Sequence, residues 1–559
     1  MVGEFKRLEN GFQCYDSFSE KVETVKAPIA AVFCDLPAKA EVTPFKGYEA
    51  DVFCPRDMYN KKSGAGFDVK RDINLLMQQI ADIDNQTSLA RKKVLGVRYG
   101  LDVNNLESIV ATLDKFDLTK DFPSDILHHF LLGWGKKSYI FFKNEVLSAE
   151  ALDQLCHIFD QLIWNEYKSR TNSNALKKAG SQIGRNIKAL LQVLWYGIWI
   201  LIKTDPAKFQ ADLEVFLRAF FYLGKLNYLF FNEHEVGWSP AIVAQADDAI
   251  RTAVAIFRRD MVELVPGPKT HDLEHHIQED ILRHGNPAGF DCQAGEAKMK
   301  VQKLCNNFSN KLAPGKDVAM KYMKTEIVRH IVMGGALSDD GILKAAPKVL
   351  EEVQKCTSIK SLLGLDTGPD YIGEASLFDY EVSSVGKRRI KLRKPEYEHV
   401  NLGVPNVLMK TCRKVETPNG PLFRNGGLYR FEGAELKVAI LVEVYKSQHG
   451  TVHAVVEELA TEDTEDPFLR EAGIKVWKRR NTFSLITNLR NLCAVPLLHA
   501  CFIEDQPCGF VTGPVDVREE RANVEQVRTV YNCVGRRGLY FLVNGTAFSV
   551  PTGVGLGCC

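Results

Sequence analysis

From about Val69 to about Gly335 the chain carries apolar residues at i, i+3, i+4 spacing in one segment after another, which predicts a long, mostly helical block. The segments VKRDINLLMQQIADI, LDQLCHIFDQLIWNEY, IGRNIKALLQVLWYGIW and DLEVFLRAFFYLGKLNYLFF each present one apolar stripe. Asp and Ser residues stand at several of the starts, where a side-chain oxygen can accept from the first free backbone N–H groups. A helical block of this length needs a core of its own. Its most apolar stretch, Ala189 to Ile202, is 14 residues long and lies between Lys188 and Lys203. A membrane span takes about 20 residues, so the stretch predicts a buried core helix.

The flanks have a different texture. PIAAVF (Pro28–Phe33) predicts a short central strand that ends at Cys34-Asp35-Leu36-Pro37. Residues from about Ala336 to Val400 are mixed, with a Gly-rich piece and a basic run, Lys387–Lys394, and predict a linker. From about Asn401, short β-branched and apolar runs alternate with turn residues, which predicts a small antiparallel β domain. The 45% hydrophobic and 25% charged content is that of a globular protein and excludes a disordered or collagen-like chain. Lys+Arg 71 against Asp+Glu 70 leaves a net charge of +1, which excludes a globally basic nucleic-acid coat but leaves room for local basic patches. The 14 cysteines follow no regular spacing and predict reduced, intracellular thiols. MVGEFKRLENGF has no apolar core for a signal peptide, and Cys558-Cys559 does not fit a lipidation motif. The expectation is a soluble protein with no membrane segment. The Lys387–Lys394 run fits a nuclear import signal, a phosphate contact or a solvated linker equally.

Two groups of residues carry chemistry. His271-Asp272-Leu273-Glu274-His275 fits H-x-x-E-H, in which two His and a Glu on one helical face hold zinc, with a downstream acid such as Glu326 as third ligand. His276 and Glu279 extend the same polar cluster. The other group is three acids. Asp35 leaves the predicted strand, Asp125 sits in a D-x-x-H with His128, and Glu296 opens a helix whose stripe is Ala297, Val301, Leu304 and Phe308. Metal-dependent phosphoryl transfer needs carboxylates gathered around Mg²⁺, and acids at a strand end and on a packing helix suit that layout.

Five blocks, in order, resemble CACTA-type (En/Spm-like) DDE transposases. Cys34–Asp57 resembles the segment "D-x-P-A-[RK]-A … F-N-G … C-x-x-C", and Phe122–Lys137 the "D-x-x-H-x-x-x-L-G-x-x-K". IGRNIKALLQVLWY is similar to the "G-[RK]-x-[FY]-K-A-L-x-Q" helix. Lys269–Ala319 is similar to the segment that carries the family glutamate, and Val328–Gly335 to the "V-x-H-I-x-x-G-G" that follows. The resemblance implies an α/β RNase H-like core remnant, a large all-α insertion and, beyond it, a C-terminal small β domain. It implies Mg²⁺- or Mn²⁺-dependent cutting and joining of transposon DNA ends in the nucleus, with a homo-oligomer as a possible assembly. By position it makes Asp35 the second acid, Glu296 the acid of the final helix, and Asp125 and His128 the D-x-x-H. Asp35 and Glu296 are then the metal ligands. The expected spans are 1–68 for the partial core, 69–270 for the insertion, 271–345 for the return to the core, 346–400 for the linker and 401–559 for the β domain.

Three positions depart from the family pattern. Only 34 residues precede Asp35, and Asp16 has no first-strand context, so the first acid is missing. C-x-x-C reads Cys54-Pro55-Arg56-Asp57, a broken zinc pair, and Gln293 stands where relatives carry an acid. Alternative readings are therefore a domesticated DNA- or protein-binding module without catalysis, and a zinc hydrolase using His271, Glu274 and His275.

Overall fold

The computed structural model describes residues 2–16, 21–66, 68–107, 113–162, 171–231, 238–260, 267–293, 295–296, 306, 312–332, 351–353 and 355–356. Beyond these it describes 410–412, 414–417, 420–424, 428–432, 436–446, 452–486, 492–494, 497–499, 515–521, 524–530 and 540–543. The Lys387–Lys394 run, the Ala297–Phe308 stripe and Cys558-Cys559 lie outside the described residues. The chain forms two compact units, Met1–His129 with Gly267–Asp370, and Phe130–Pro266 with Tyr371–Cys559.

In the first unit the helix Val2–Asn10 leads into an antiparallel hairpin, Phe12–Asp16 with Lys21–Val25, paired from Phe12↔Val25 to Asp16↔Lys21. Pro28–Phe33 then runs as coil, not as the expected strand. Pro28 has no N–H to give to a ladder, and Val32 N donates to Asp121 O at 2.9 Å without a neighbouring strand to extend the pairing. An RNase H-like sheet does not appear among the described residues. Asp35 instead caps the helix Leu36–Val42, its Oδ1 accepting from Ala38 N at 2.8 Å. Two longer helices follow, Ile73–Asp84 capped by Asp72 and Leu89–Tyr99 capped by Ser88. Gly100 ends the second with φ +69, and a Cβ there would stand 2.0 Å from Val52 O, so the turn requires glycine. Leu76, Ile80 and Ile83 pack on Phe45, Leu101 and Phe122 in one core. That packing places residues 73–99 in this unit, and the second unit begins at Phe130. The chain returns in helices Pro268–His275 and Ile277–His284.

The second unit is built on helices Ala149–Gln161, Gly184–Leu191, Leu194–Thr204, Pro206–Phe231 and Pro240–Asp260. Ala189–Ile202 is buried throughout, but as two helices bent by 45° around Gln192 and Val193. No single described helix is long and apolar enough to cross a membrane. Beside the bend, Asn227 Nδ2 donates to Lys188 O at 2.9 Å, partnering a backbone carbonyl from a neighbouring helix. Later in the same unit an eight-stranded antiparallel sheet has Leu436–Lys446, Val452–Glu462 and Val476–Ile486 at its centre. Asp466 caps the short helix Pro467–Glu471 and also binds Trp199 Nε1 (3.1 Å) and Lys203 Nζ (2.6 Å).

Candidate metal centre and acid site

Both sites lie in the first unit. The metal centre gathers a loop and a helix junction. Cys54 and Asp57 come from the loop, His271 from the helix Pro268–His275, and His276 from the break that follows it, and all four are buried. His276 Nε2 lies 3.1 Å from Cys54 Sγ, 3.1 Å from Asp57 Oδ2 and 3.2 Å from His271 Nε2, and His271 Nε2 lies 3.1 Å from Asp57 Oδ2. Ligand atoms around a tetrahedral zinc stand about 3.3–3.8 Å apart, given metal–ligand bonds of about 2.0–2.3 Å. One central cation would bond the facing nitrogens, the thiolate and the carboxylate at once. Asp272 also offers an oxygen near Cys54, His271 and His276, but its Oδ2 contacts His129 Nε2 at 2.9 Å. Asp57, which reaches both imidazoles, is the better fourth donor.

Without an ion the four groups pair as charges. Burial pushes the Cys54 thiol up, yet the neighbouring His276 and His271 outweigh it and hold it below the ordinary thiol value. Burial opposes charge on His271 and His276 as well. Asp57 and Cys54 nevertheless raise the first to about 9, and Cys54, Asp57 and Glu279 raise the second to about 11. The ring of Tyr59 stacks on His271 at 4.5 Å and fixes its plane.

Asp57, at the position where the resemblance would put a second cysteine, contacts both imidazoles. The histidines that share a point are His271 and His276, not His271 and His275. The helix ends at His275, and His276 (φ −125, ψ −22) turns its ring back into the cluster. The His275 ring stays 4.9 Å from that of His271, but its Nε2 lies 3.7 Å from Glu274 Oε2. Glu326 lies on the helix Pro314–Val332, 3.6 Å from Arg329. The spacing C-x-x-D with H-x₄-H was the available signal, and a pattern that demanded a second Cys hid it.

A buried brace joins the centre to the acid site. The Arg56 guanidinium pairs with Asp280 and donates to Phe122 O (3.3 Å) and His276 O (3.2 Å). Asp280 Oδ2 accepts from Ser124 N at 2.8 Å, which fixes the residue before Asp125. His129 Nδ1 donates to Asp125 O at 2.8 Å while its Nε2 meets Asp272, so one ring spans the two sites.

At the acid site Asp125 Oδ1 accepts from Leu127 N (3.1 Å) and Cys292 N (2.9 Å), and its Oδ2 contacts His128 Nδ1. His128 Nε2 lies 3.4 Å from Glu296 Oε1. The hydrogen bond to Asp125 raises His128 despite burial, and the charges of Glu296 and Asp35 add to the effect. Burial pushes Asp125 up, but the His128 bond and the Cys292 N–H outweigh it and hold the carboxyl below its ordinary value. Burial takes the Cys34 thiol up to about 11, with Asp35 and Asp125 adding to it against Lys39. The fold thus brings Asp125, His128 and Glu296 together with Cys292, which sequence reasoning passed over, while Asp35 caps its own helix and acts on His128 through its charge. The position of Cys292 just before Gln293, near Glu296, was the signal available. No protein-family model matches the chain, and no curated protein matches it.

Proposed function

We propose that this is a protein derived from a DDE-type DNA transposase, and that Asp35, Asp125, His128 and Glu296 hold a divalent cation for phosphoryl transfer on DNA. One observation carries the reading: Asp125 and His128 meet Glu296, from segments as far apart as residues 125 and 296, and the charge of Asp35 acts on the pair. Asp125 supplies a buried carboxylate beside His128. Asp35 keeps one oxygen beyond its capping bond, and Glu296, with its side chain 57% exposed, stands open to substrate. When bound, Mg²⁺ or Mn²⁺ would neutralise phosphate charge and acidify the attacking hydroxyl. Asp125 holds His128 by its Nδ1 and turns Nε2, beside Glu296, toward the cation, and the proton of that hydroxyl passes to solvent. DNA ends are the partner, engaged by a homo-oligomer in the nucleus.

The test is nicking and end joining on supercoiled DNA with Mg²⁺ or Mn²⁺, alongside Mn²⁺ calorimetry. Asp35→Ala, Asp125→Ala and Glu296→Ala should each lower cleavage at least about 100-fold and remove one bound ion. Cleavage unchanged in all three variants defeats the reading. Mn²⁺ binding without cleavage of any DNA leaves the non-catalytic binding module as the function.

A further inference from the structure

We infer that Cys292 is a metal ligand of the acid site, and that this site takes a thiophilic divalent ion such as Zn²⁺ or Co²⁺ in preference to Mg²⁺. The inference rests on the acid-site reading above and names the ion that the site selects. One donor atom each of Asp125, His128 and Cys292 lies within 4.8 Å of the other two. The three are not sequence neighbours held together by chance. Cys292 N is bonded to Asp125 Oδ1 at 2.9 Å, and Asp125 Oδ2 is bonded to His128, so the carboxylate positions both of the other donors.

The donor chemistry decides the metal. Mg²⁺ demands near-octahedral oxygen ligands and keeps several waters. A set of one carboxylate, one imidazole and one thiol suits borderline ions instead, and three protein ligands leave a fourth position for water or a phosphate oxygen. Glu296, 3.4 Å from His128 Nε2, stands beside these three ligands. Without an ion, burial together with Asp125, Cys34 and Asp35 keeps the Cys292 thiol protonated. Metal entry forms the sulfur–metal bond and releases that proton to solvent. The site is distinct from the centre at Cys54, His271 and His276, which shares none of its three ligands.

The experiment uses the full chain, stripped of metal and titrated with Co²⁺, with thiolate-to-cobalt absorption as the readout. Wild type should take up two ions that give this absorption. Cys292→Ser should lose one and keep the other, and Cys54→Ser should show the reverse. Alkylation of wild type followed by peptide mass spectrometry provides a readout that needs no variant: Co²⁺ should protect Cys292 at least tenfold, and excess Mg²⁺ should not. A Cys292→Ser titration indistinguishable from wild type, or Cys292 alkylated equally with and without Co²⁺, overturns the inference. If Mn²⁺-supported DNA cleavage survives that result, the acid-site reading stands and only the metal assignment fails. If Co²⁺ binds through Cys292 and no cation supports cleavage, the metal assignment stands and the catalytic reading fails.

Discussion

Arg56→Met cuts the brace between the two sites, and its cost can be worked from the contacts. The Arg56 side chain is 7% exposed and Asp280 1%, so the variant leaves a carboxylate buried with Ser124 N as its remaining described donor. Breaking a buried pair from one side costs about 3–5 kcal/mol. The carbonyls of Phe122 and His276 also lose a charged donor, so the upper half of that range is expected. That is a large part of the 5–15 kcal/mol that typically holds a domain together. All six tryptophans fall within residues 130–266 and 371–559, so indole fluorescence reads the second unit. Urea unfolding should therefore be followed by far-UV circular dichroism. With a slope of about 2 kcal/mol per M, a loss of about 4 kcal/mol moves the first unit's midpoint down by about 2 M. Asp280→Leu alone should cost a similar amount, because it strands the cation. The double variant Arg56→Met/Asp280→Leu buries no charge and should recover most of the loss. A single-variant cost under about 1 kcal/mol, or a double variant that costs the sum of the two, refutes the argument.

Three other outcomes can be checked directly. Asp57→Asn and Cys54→Ser should each lower zinc per chain by one, and Asp57→Cys should keep it. Chelation of wild type should lower Tm by the equivalent of about 4 kcal/mol when zinc is supplied at about 1,000 times its Kd, and equal zinc in Asp57→Asn would dismiss the centre. Gly197→Val should cost about 1–3 kcal/mol by overpacking, since a Cβ there stands 2.5 Å from Leu155 Cδ1 and 3.2 Å from Phe159 Cε2; an unchanged melting temperature would contradict it. Burial pushes Asp466 up, but Lys203, Leu469 N and Trp199 outweigh it and hold its pKa below the ordinary value. A depressed folded value means a contribution that is complete above about pH 4 and lost as pH falls through the folded pKa. Asp466→Asn should flatten that acid limb in tryptophan fluorescence melts, and an identical acid limb would rule the group out.

The helices were legible because one stripe of apolar residues and one capping oxygen are local signals. Asp72, Ser88 and Ser148 stand at their caps, and the strands Leu428–Glu432 to Val476–Ile486 follow the alternating runs. The 45° bend at Gln192 was not legible, because the buried Asn227 beside it comes from another helix. Pro28–Phe33 has the composition of a strand, but a strand also needs a neighbour, and composition cannot supply one. At the sites, single residue types were readable and their partners were not. Asp35, Asp125, His128 and Glu296 stood out by motif, whereas Asp57 and His276 take their roles from a helix break and a loop that meet only in three dimensions.

The buried cluster of Cys54, His271 and His276 also sets a clock on synthesis. Cys54 and His276 are 222 positions apart. At about 5–20 residues per second, a ribosome takes about 10–45 s to make the second ligand after the first. Through that interval Cys54 is an uncapped thiol and Arg56 a cation without its Asp280, while the helices from Lys136 to Asp260 emerge as a continuous stretch. The N-terminal part of the first unit must wait for the intervening helices, so its maturation falls late in translation, and thiol protection matters most until that moment.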